Sequence, residues 1–506
     1  MTSRTSKASR GLFADLLQYG VLIALQVVLA PIILKVSGQE VLGAYSIVMQ
    51  IIGYGLILDF GLSVALNRYL AQTFGNVGSG HKFEEIFNIG RFFIFITNIF
   101  LALIIVTVSL NIASLISGSD IMLSDTRDSL LIFAMWILVR SPLVIYSNGL
   151  LATQNMVTAN IIAIIGGTSR LFLSIVLVYL GFGLIGLVVA NISSECLALI
   201  LKRFYFNKLN PLLEMQWRKP NPQLMRELIA FGIKYWGVNI AIVLTVGSDS
   251  LLVGHLFGAA AVAVFYTTKI PSFMLIQLVF KISDNAGPAI NELISQGNFE
   301  SVRIAYLKIL RYSMLIAFPI SIGIICFNKS VISAWVGANQ YAGSLMSFAI
   351  ALYVITQVIN HINAMITVAI GNMHNWVKIS VIVGVVTIAL AYILGKLFGM
   401  QWIMVAIAVM ELPLFVFLMV RSCSGIDLGY SLVWRQSLLP ALNACIPLIV
   451  LGAYLFTAGV VDSLIKLLVT VAVFATLWAI SCYSLGLNAR ERSLIKDKIA
   501  MVNARL

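Results

Sequence analysis

Runs of about 20 consecutive apolar residues, long enough to cross a bilayer core as a helix, recur from one end of this chain to the other. Hydrocarbon offers no water to backbone N–H and C=O groups, so each such run must satisfy its own backbone as a helix. Gly, Pro, Asn and charge clusters separate the runs into fourteen candidate spans. Those of the first half are 13–35, 41–71, 91–115, 127–152, 158–180 and 184–206. The second half supplies 227–256, 260–290, 304–327, 341–370, 376–398 and 401–421, followed by 436–457 and 461–486. The 41–71 and 260–290 segments are long enough to run past the membrane surface. Hydrophobic residues make up 60% of the 506 positions and charged residues 10%, against roughly 25% charged in soluble domains. The longest polar stretches are 206–226 and the last twenty residues, too short for a separate soluble domain. The expected fold class is therefore an all-α polytopic membrane protein of about 14 transmembrane helices.

The basic N-terminus, MTSRTSKASR, precedes an apolar run that continues to Leu34. That run is too long for a signal-peptide core, and no clean small-residue cleavage site follows it, so it reads as the first transmembrane helix. Lys and Arg favour cytoplasmic loops. With the N-terminus inside, 24 of the 33 basic residues fall in cytoplasmic segments and five in outside loops. A miscount midway would invert this bias in the later loops, so both ends are expected inside. The net charge of +13 is this topology signal rather than a nucleic-acid surface. Five cysteines, Cys196, Cys326, Cys423, Cys445 and Cys482, show no CxxC or metal-like spacing and read as small buried hydrophobes.

The chain repeats itself weakly. Leu62 to Arg68 (LSVALNR) is similar to Ala286 to Glu292 (AGPAINE), and Gly38 and Tyr45 find counterparts in Gly258 and Tyr266. The expected organisation is a six-helix lobe over 1–206, a linker over 207–226, a second six-helix lobe over 227–425, and two further helices with a basic tail over 426–506. Two parallel repeats of an even helix number imply an alternating-access arrangement around a central cavity.

Four basic residues remain once the loops are assigned: Arg140, Arg170, Lys234 and Lys269. Acidic counterparts are Glu195 and Glu411 at depth, with Asp59 and Asp249 nearer helix ends. A charge at mid-helix costs roughly 2.5–3.5 kcal/mol on insertion scales, so such residues face a cavity or a partner. Arg140-Ser-Pro142, Lys269-Ile-Pro271 and Glu411-Leu-Pro413 each set a charge beside a proline, which removes a backbone donor and frees carbonyls. Lys234 and Asp249 fall within about 60° of one another on a helical projection, as on a cavity-lining face. Arg170 and Glu195 read equally well as a structural ion pair. His361, between Asn360 and Asn363, reads as a sugar-binding or proton-sensitive group or as an interhelical hydrogen bond. A cationic cavity suits an anion with an apolar part. No GxxxxGK[ST] loop occurs, so ATP hydrolysis by this chain is not expected, and transport would be driven by a gradient, a partner or consumption of the product. The intramembrane acids allow H+ or Na+ as a coupling ion, and no cofactor is expected.

The stretches Leu42-Gly-Ala-Tyr-Ser46, Leu58-Asp-Phe-Gly-Leu62 and Asn67-Arg-Tyr-Leu-Ala71 resemble the start of bacterial polysaccharide transporters of the O-antigen flippase type. Gly247-Ser-Asp-Ser-Leu-Leu-Val-Gly254 with Phe265-Tyr266, and Ser333-Ala-Trp-Val-Gly337, extend the likeness, which spans roughly 12–425. These transporters form a branch of the multidrug/oligosaccharidyl-lipid/polysaccharide exporter superfamily. The resemblance implies two six-helix lobes plus two C-terminal helices in the bacterial inner membrane. It implies as cargo an undecaprenyl-pyrophosphate-linked oligosaccharide, moved to the periplasmic leaflet amid membrane lipids. Polysaccharide polymerase and chain-length proteins are the implied partners. On depth and charge, Arg140, Lys234, Lys269 and Arg170 would attract the pyrophosphate. Asp59, Asp249, Glu411, Glu195 and His361 would shape the cavity or carry a coupling ion. A lipid II flippase and a multidrug antiporter are the rival transport readings. A membrane polymerase or ligase is disfavoured, because the outside loops near 116–126 and 328–340 hold no cluster of acid, base and nucleophile.

Overall fold

The computed structural model describes residues 2–55, 61–75, 83–153, 155–210, 221–230, 232, 236, 247–371, 375–458, 464–489 and 491–493. Asp59, Lys234 and the middle of the candidate span 227–256 lie outside these residues. The described chain is helical throughout. Its main helices are α1 (Thr2–Val36), α2 (Gln39–Gly53), α3 (Leu62–Gly75), α4 (Phe83–Leu110), α5 (Asp120–Ala152), α6 (Met156–Tyr179) and α7 (Gly183–Leu209). They continue as α8 (Asp249–Phe257), α9 (Ala259–Ser295), α10 (Phe299–Trp335), α11 (Ser344–Ala369) and α12 (Trp376–Phe398). The last are α13 (Gln401–Gly425), α14 (Leu439–Ala458) and α15 (Leu464–Ser481). Among the described residues, twelve helices are long and apolar enough to cross a membrane. This is a polytopic all-α membrane protein.

One expected span takes a different form. In place of one helix over 41–71 stand α2 and α3, with three glycines, Gly53, Gly55 and Gly61, where the run divides. Gly61 has φ +67° and lies so close to the Gly232 carbonyl that a Cβ would meet it at 2.2 Å. The 260–290 segment does form one uninterrupted helix, α9, whose 37 residues span about 55 Å and so overrun a bilayer core of about 30 Å.

Helix contacts divide the chain into two compact units, Met1–Tyr266 with Ser380–Lys396, and Thr267–Ile379 with Leu397–Leu506. In the first, α3, α4, α5 and α7 meet around Phe83, Phe87, Tyr146 and Phe206, whose rings pair at centroid distances from 5.2 to 6.3 Å. The close approach of α7 to α5 needs Gly149, where a Cβ would sit 2.7 Å from the Phe206 ring. A second cluster joins Ile33, Leu42, Leu187 and Ala263, with Tyr45 and Tyr266 packed against it. In the second unit Phe327, Cys445, Leu448, Leu467 and Phe474 bind α10 to α14 and α15. Large apolar side chains such as Phe100, Leu103, Phe172, Leu397, Tyr454 and Ile465 are exposed, as helices bathed in lipid require.

The weak repeat has a backbone counterpart. Gly38 precedes α2 with φ 87° and ψ 178°, and Gly258 precedes α9 with φ 83° and ψ 171°. That region is essentially open to glycine alone. At each the glycine carbonyl accepts from the amide four residues on, Leu42 and Val262, at 3.4 Å. The two segments then touch, for a Cβ on Gly43 would lie 1.8 Å from the Ala259 carbonyl oxygen. Backbone cannot yield as a flexible side chain would. Gly43→Ala is therefore expected to lower the midpoint of thermal unfolding in detergent by several degrees or to abolish recovery of folded protein. Gly20→Ala, which meets nothing within 4 Å, should leave the midpoint unchanged. Equal behaviour of the two variants would show that the contact at Gly43 is not tight.

Candidate functional site

Among the described residues, the charges that the sequence leaves inside helices are engaged within each unit. In the first unit Phe133, Trp136 and Arg140 recur at helical spacing along one face of α5. A guanidinium nitrogen of Arg140 forms an ion pair with Oε1 of Glu195 on α7. The Trp136 indole donates to Oε2 of the same carboxylate at 2.7 Å, and the Phe133 ring lies 5.7 Å from the guanidinium carbon. Both charged side chains keep some exposure, 21% and 28%. Glu195 thus takes Arg140, not Arg170, as its partner. Arg170 on α6 lies within electrostatic reach of Tyr45 and Tyr266 instead. Next to Arg140, Ser141 accepts a hydrogen bond from Asn98 at 2.9 Å and donates to the Ile137 carbonyl, so polar atoms surround Pro142 without breaking α5.

Two residues absent from the candidate set belong to this polar layer. Lys202, two turns along α7 from Glu195, donates to Ser147 at 3.1 Å and acts electrostatically on Glu195. Arg91, placed by sequence in a cytoplasmic segment, is buried on α4 with a nitrogen 3.5 Å from the Tyr146 hydroxyl. Charge-pattern reading assigns such residues to loops because the apolar run resumes just beyond them. Asp249 is 2% exposed and engaged: Gln50 on α2 donates to it at 2.7 Å, and the Ser250 amide does so at 2.7 Å. The Gln50 carbonyl oxygen in turn accepts from the Leu251 amide, so one glutamine holds the start of α8.

In the second unit the charges share a polar system on α9, α10, α11 and α13. Lys269 is buried at mid-helix on α9, its ammonium 4.8 Å from the Phe273 ring, which stacks on Tyr353 at 5.0 Å. Two residues on, Pro271 interrupts the α9 ladder. There the Asn328 side chain donates to the Thr268 carbonyl at 3.2 Å. Glu411 on α13 is 1% exposed; Asn360 donates to its Oε2 at 2.9 Å, and Gln357, one turn earlier, acts on the same carboxyl. Its Oε1 is buried without a hydrogen bond of good geometry. Asn363 accepts from Tyr306 at 2.8 Å and from Ser422 at 2.6 Å. His361 points elsewhere: its Nε2 lies 2.8 Å from Asp284, and its ring stacks on Phe280 at 4.0 Å. A cavity of about 430 Å3 with apolar walls opens beside Pro271, between α9, α10 and α15.

A family model described as polysaccharide biosynthesis protein matches residues 40–346, more than half of the chain. The chain belongs to this family. The chain also shares its fold with solved transporters. The lipid II flippase MurJ, in an inward closed conformation, superposes with a TM-score of 0.66 at 14% identity, over 93% of this chain and 97% of that one. An inward-facing multidrug resistance MATE family transporter of the MOP superfamily gives 0.62 at 15% identity, over 81% and 94%. A MOP superfamily transporter from Pyrococcus furiosus, whose binding pocket is described as reversed in polarity, gives 0.56 at 16% identity, over 83% and 97%. No curated protein sequence matches the chain significantly. At these identities the solved structures establish the fold alone.

The Arg140–Glu195 pair is mostly buried, so losing one partner strands the other charge. Arg140→Gln is expected to lower stability by about 1–3 kcal/mol, and the double variant with Glu195→Gln to cost less than the two single changes summed. Thermal or denaturant unfolding of the four forms in detergent measures this, and strict additivity would show that the two groups do not interact.

Proposed function

We propose that the protein is a flippase that carries a polyprenyl-pyrophosphate-linked oligosaccharide from the cytoplasmic to the periplasmic leaflet of the bacterial inner membrane, by alternating access. The observation that carries this reading is membership of a polysaccharide biosynthesis family on a fold shared with transporters. The polar residues support it. Pyrophosphate suits basic side chains held in low dielectric, and Lys269 beside the Phe273–Tyr353 stack offers a cation next to aromatic faces on which sugar rings pack. Arg140 and Arg170 of the first unit and, on sequence alone, Lys234 are the other cations of the candidate set, although Arg140 must share its guanidinium with Glu195. The lipid tail would stay in hydrocarbon while the headgroup crosses.

Among the buried acids, Glu411 is the one we assign to a coupling ion, H+ or Na+. Asp249 already accepts from Gln50 and from a backbone amide, whereas Glu411 keeps a buried oxygen without a well-formed hydrogen bond. Glu411→Gln retains an oxygen that accepts from Asn360 and removes the charge. It is expected to leave the unfolding midpoint within a few degrees of wild type and to abolish gradient-driven transport in vesicles. Full transport by this variant would remove Glu411 from coupling.

The cargo is tested in a strain deleted for this gene and complemented with variants. Surface polysaccharide should disappear on deletion and return with wild type. It should stay at least tenfold reduced, at normal protein level, with Lys269→Ala or Lys234→Ala. Polysaccharide that persists in the deletion strain would refute the reading. Accumulation of peptidoglycan precursors in that strain would point to lipid II as the cargo.

A further inference from the structure

The first turns of α10 hold a cationic recess that none of the preceding assignments uses. Glu300, Arg303, Lys308 and Arg311 all precede a stretch without charge that lasts until Lys329, so this end of α10 lies at the level of the membrane surface. Ile304, Leu307, Lys308 and Arg311 recur at i, i+3, i+4 and i+7 and therefore share one face. Together with Arg435, Gln436, Pro440 and Asn488 they enclose a cavity of about 420 Å3. Its side wall is the π-helical turn Trp434–Leu438, pinned to α10 by Ser437, whose hydroxyl donates to the Leu307 carbonyl at 2.8 Å.

The charges in the recess do not cancel. Arg311 is buried and forms an ion pair with Glu491, whose Oε1 also accepts from Tyr312 at 2.5 Å. The second oxygen of Glu491 accepts from the Asn488 amide at 2.9 Å, while the Glu491 amide donates back to the Asn488 side chain at 2.9 Å. That reciprocal capping pair leaves Glu491 fully occupied. Nε of Arg311 is buried without an acceptor. No acidic residue lines the cavity, and no carboxylate among the described residues pairs with the exposed Lys308 or Arg435. Two positive charges therefore face a recess whose other walls are Ile304, Leu307 and Pro440. Ile304 and Leu439, the neighbour of Pro440, are exposed apolar residues, so an acyl chain has a surface to follow out of the site.

We infer that this recess binds a phosphate-bearing group, with Lys308 and Arg435 as its charged ligands, Asn488 and Gln436 as neutral donors, and Arg311 as the fixed cation at its back. Basic recesses at the cytoplasmic ends of membrane helices suit anionic lipid headgroups, and the same chemistry accepts a soluble pyrophosphate. The site does not rest on the flippase reading, since none of its residues belongs to that assignment.

The test uses the full-length protein in phosphatidylcholine nanodiscs, with fluorescent phosphatidic acid as probe and inorganic pyrophosphate as competitor. Lys308→Gln with Arg435→Gln is expected to weaken phosphatidic acid binding about thirtyfold. Lys329→Gln with Lys466→Gln removes the same charge elsewhere and should change binding less than twofold. The charge-keeping pair Lys308→Arg with Arg435→Lys should retain most of the affinity, which separates ligand loss from misfolding. Competition by pyrophosphate supports the site and identifies its ligand as a phosphate group from any source. Binding of phosphatidic acid without such competition supports it and makes the lipid the ligand. Equal loss in the two charge-removing pairs, no loss in either, or no binding of either probe to wild type overturns the assignment.

Discussion

A helix in hydrocarbon has nowhere to send an unsatisfied polar group, and many of the larger polar side chains described within spans are accordingly met by another helix. The pairs at Arg140 and Glu195, Asn98 and Ser141, Gln50 and Asp249, Asn360 and Glu411, and Asn363 with Tyr306 and Ser422 all join different helices of one unit. Apolar packing against lipid-like neighbours gives little direction, since lipid tails are as apolar as leucine. The polar pairs, with the small residues that let backbones approach, therefore specify which helices meet and in what register. Gly43 against Ala259 and Gly149 against Phe206 are the close approaches that a side chain would forbid.

The same constraint commits buried carboxylates to structural roles. Glu195 is shared by Arg140 and Trp136, and Asp249 is enclosed by Gln50 and a helix start. These carboxylates keep cations and helix ends in place. Glu411, by contrast, keeps a buried Oε1 without a well-formed hydrogen bond.

Much of the architecture was legible because a single-span helix leaves a signature twenty residues long that no soluble element shares. The long α9, the polytopic class and the family were all readable from the chain. The division into α2 and α3 was not, because an apolar run containing Gly53, Gly55 and Gly61 has the composition of a continuous span. Only the approach of Gly61 to the Gly232 backbone marks the change. The equivalence of Gly38 and Gly258 was visible as a faint repeat, and its meaning emerged as two matching backbone turns that only glycine adopts readily.

What the sequence by itself determined is the solvent: apolar runs of bilayer length, the sparse charges between them and a handful of charges within them dictate a membrane protein and name its unusual residues. Which of those residues meet is a tertiary matter. Arg140 and Glu195 are 55 positions apart, Asn360 and Glu411 are 51, and Arg311 and Glu491 are 180, and no local pattern encodes such pairings. A helix displays its side chains around a full circle, so depth along the axis can be counted from sequence. The direction a charge faces depends on the neighbour against which that helix packs.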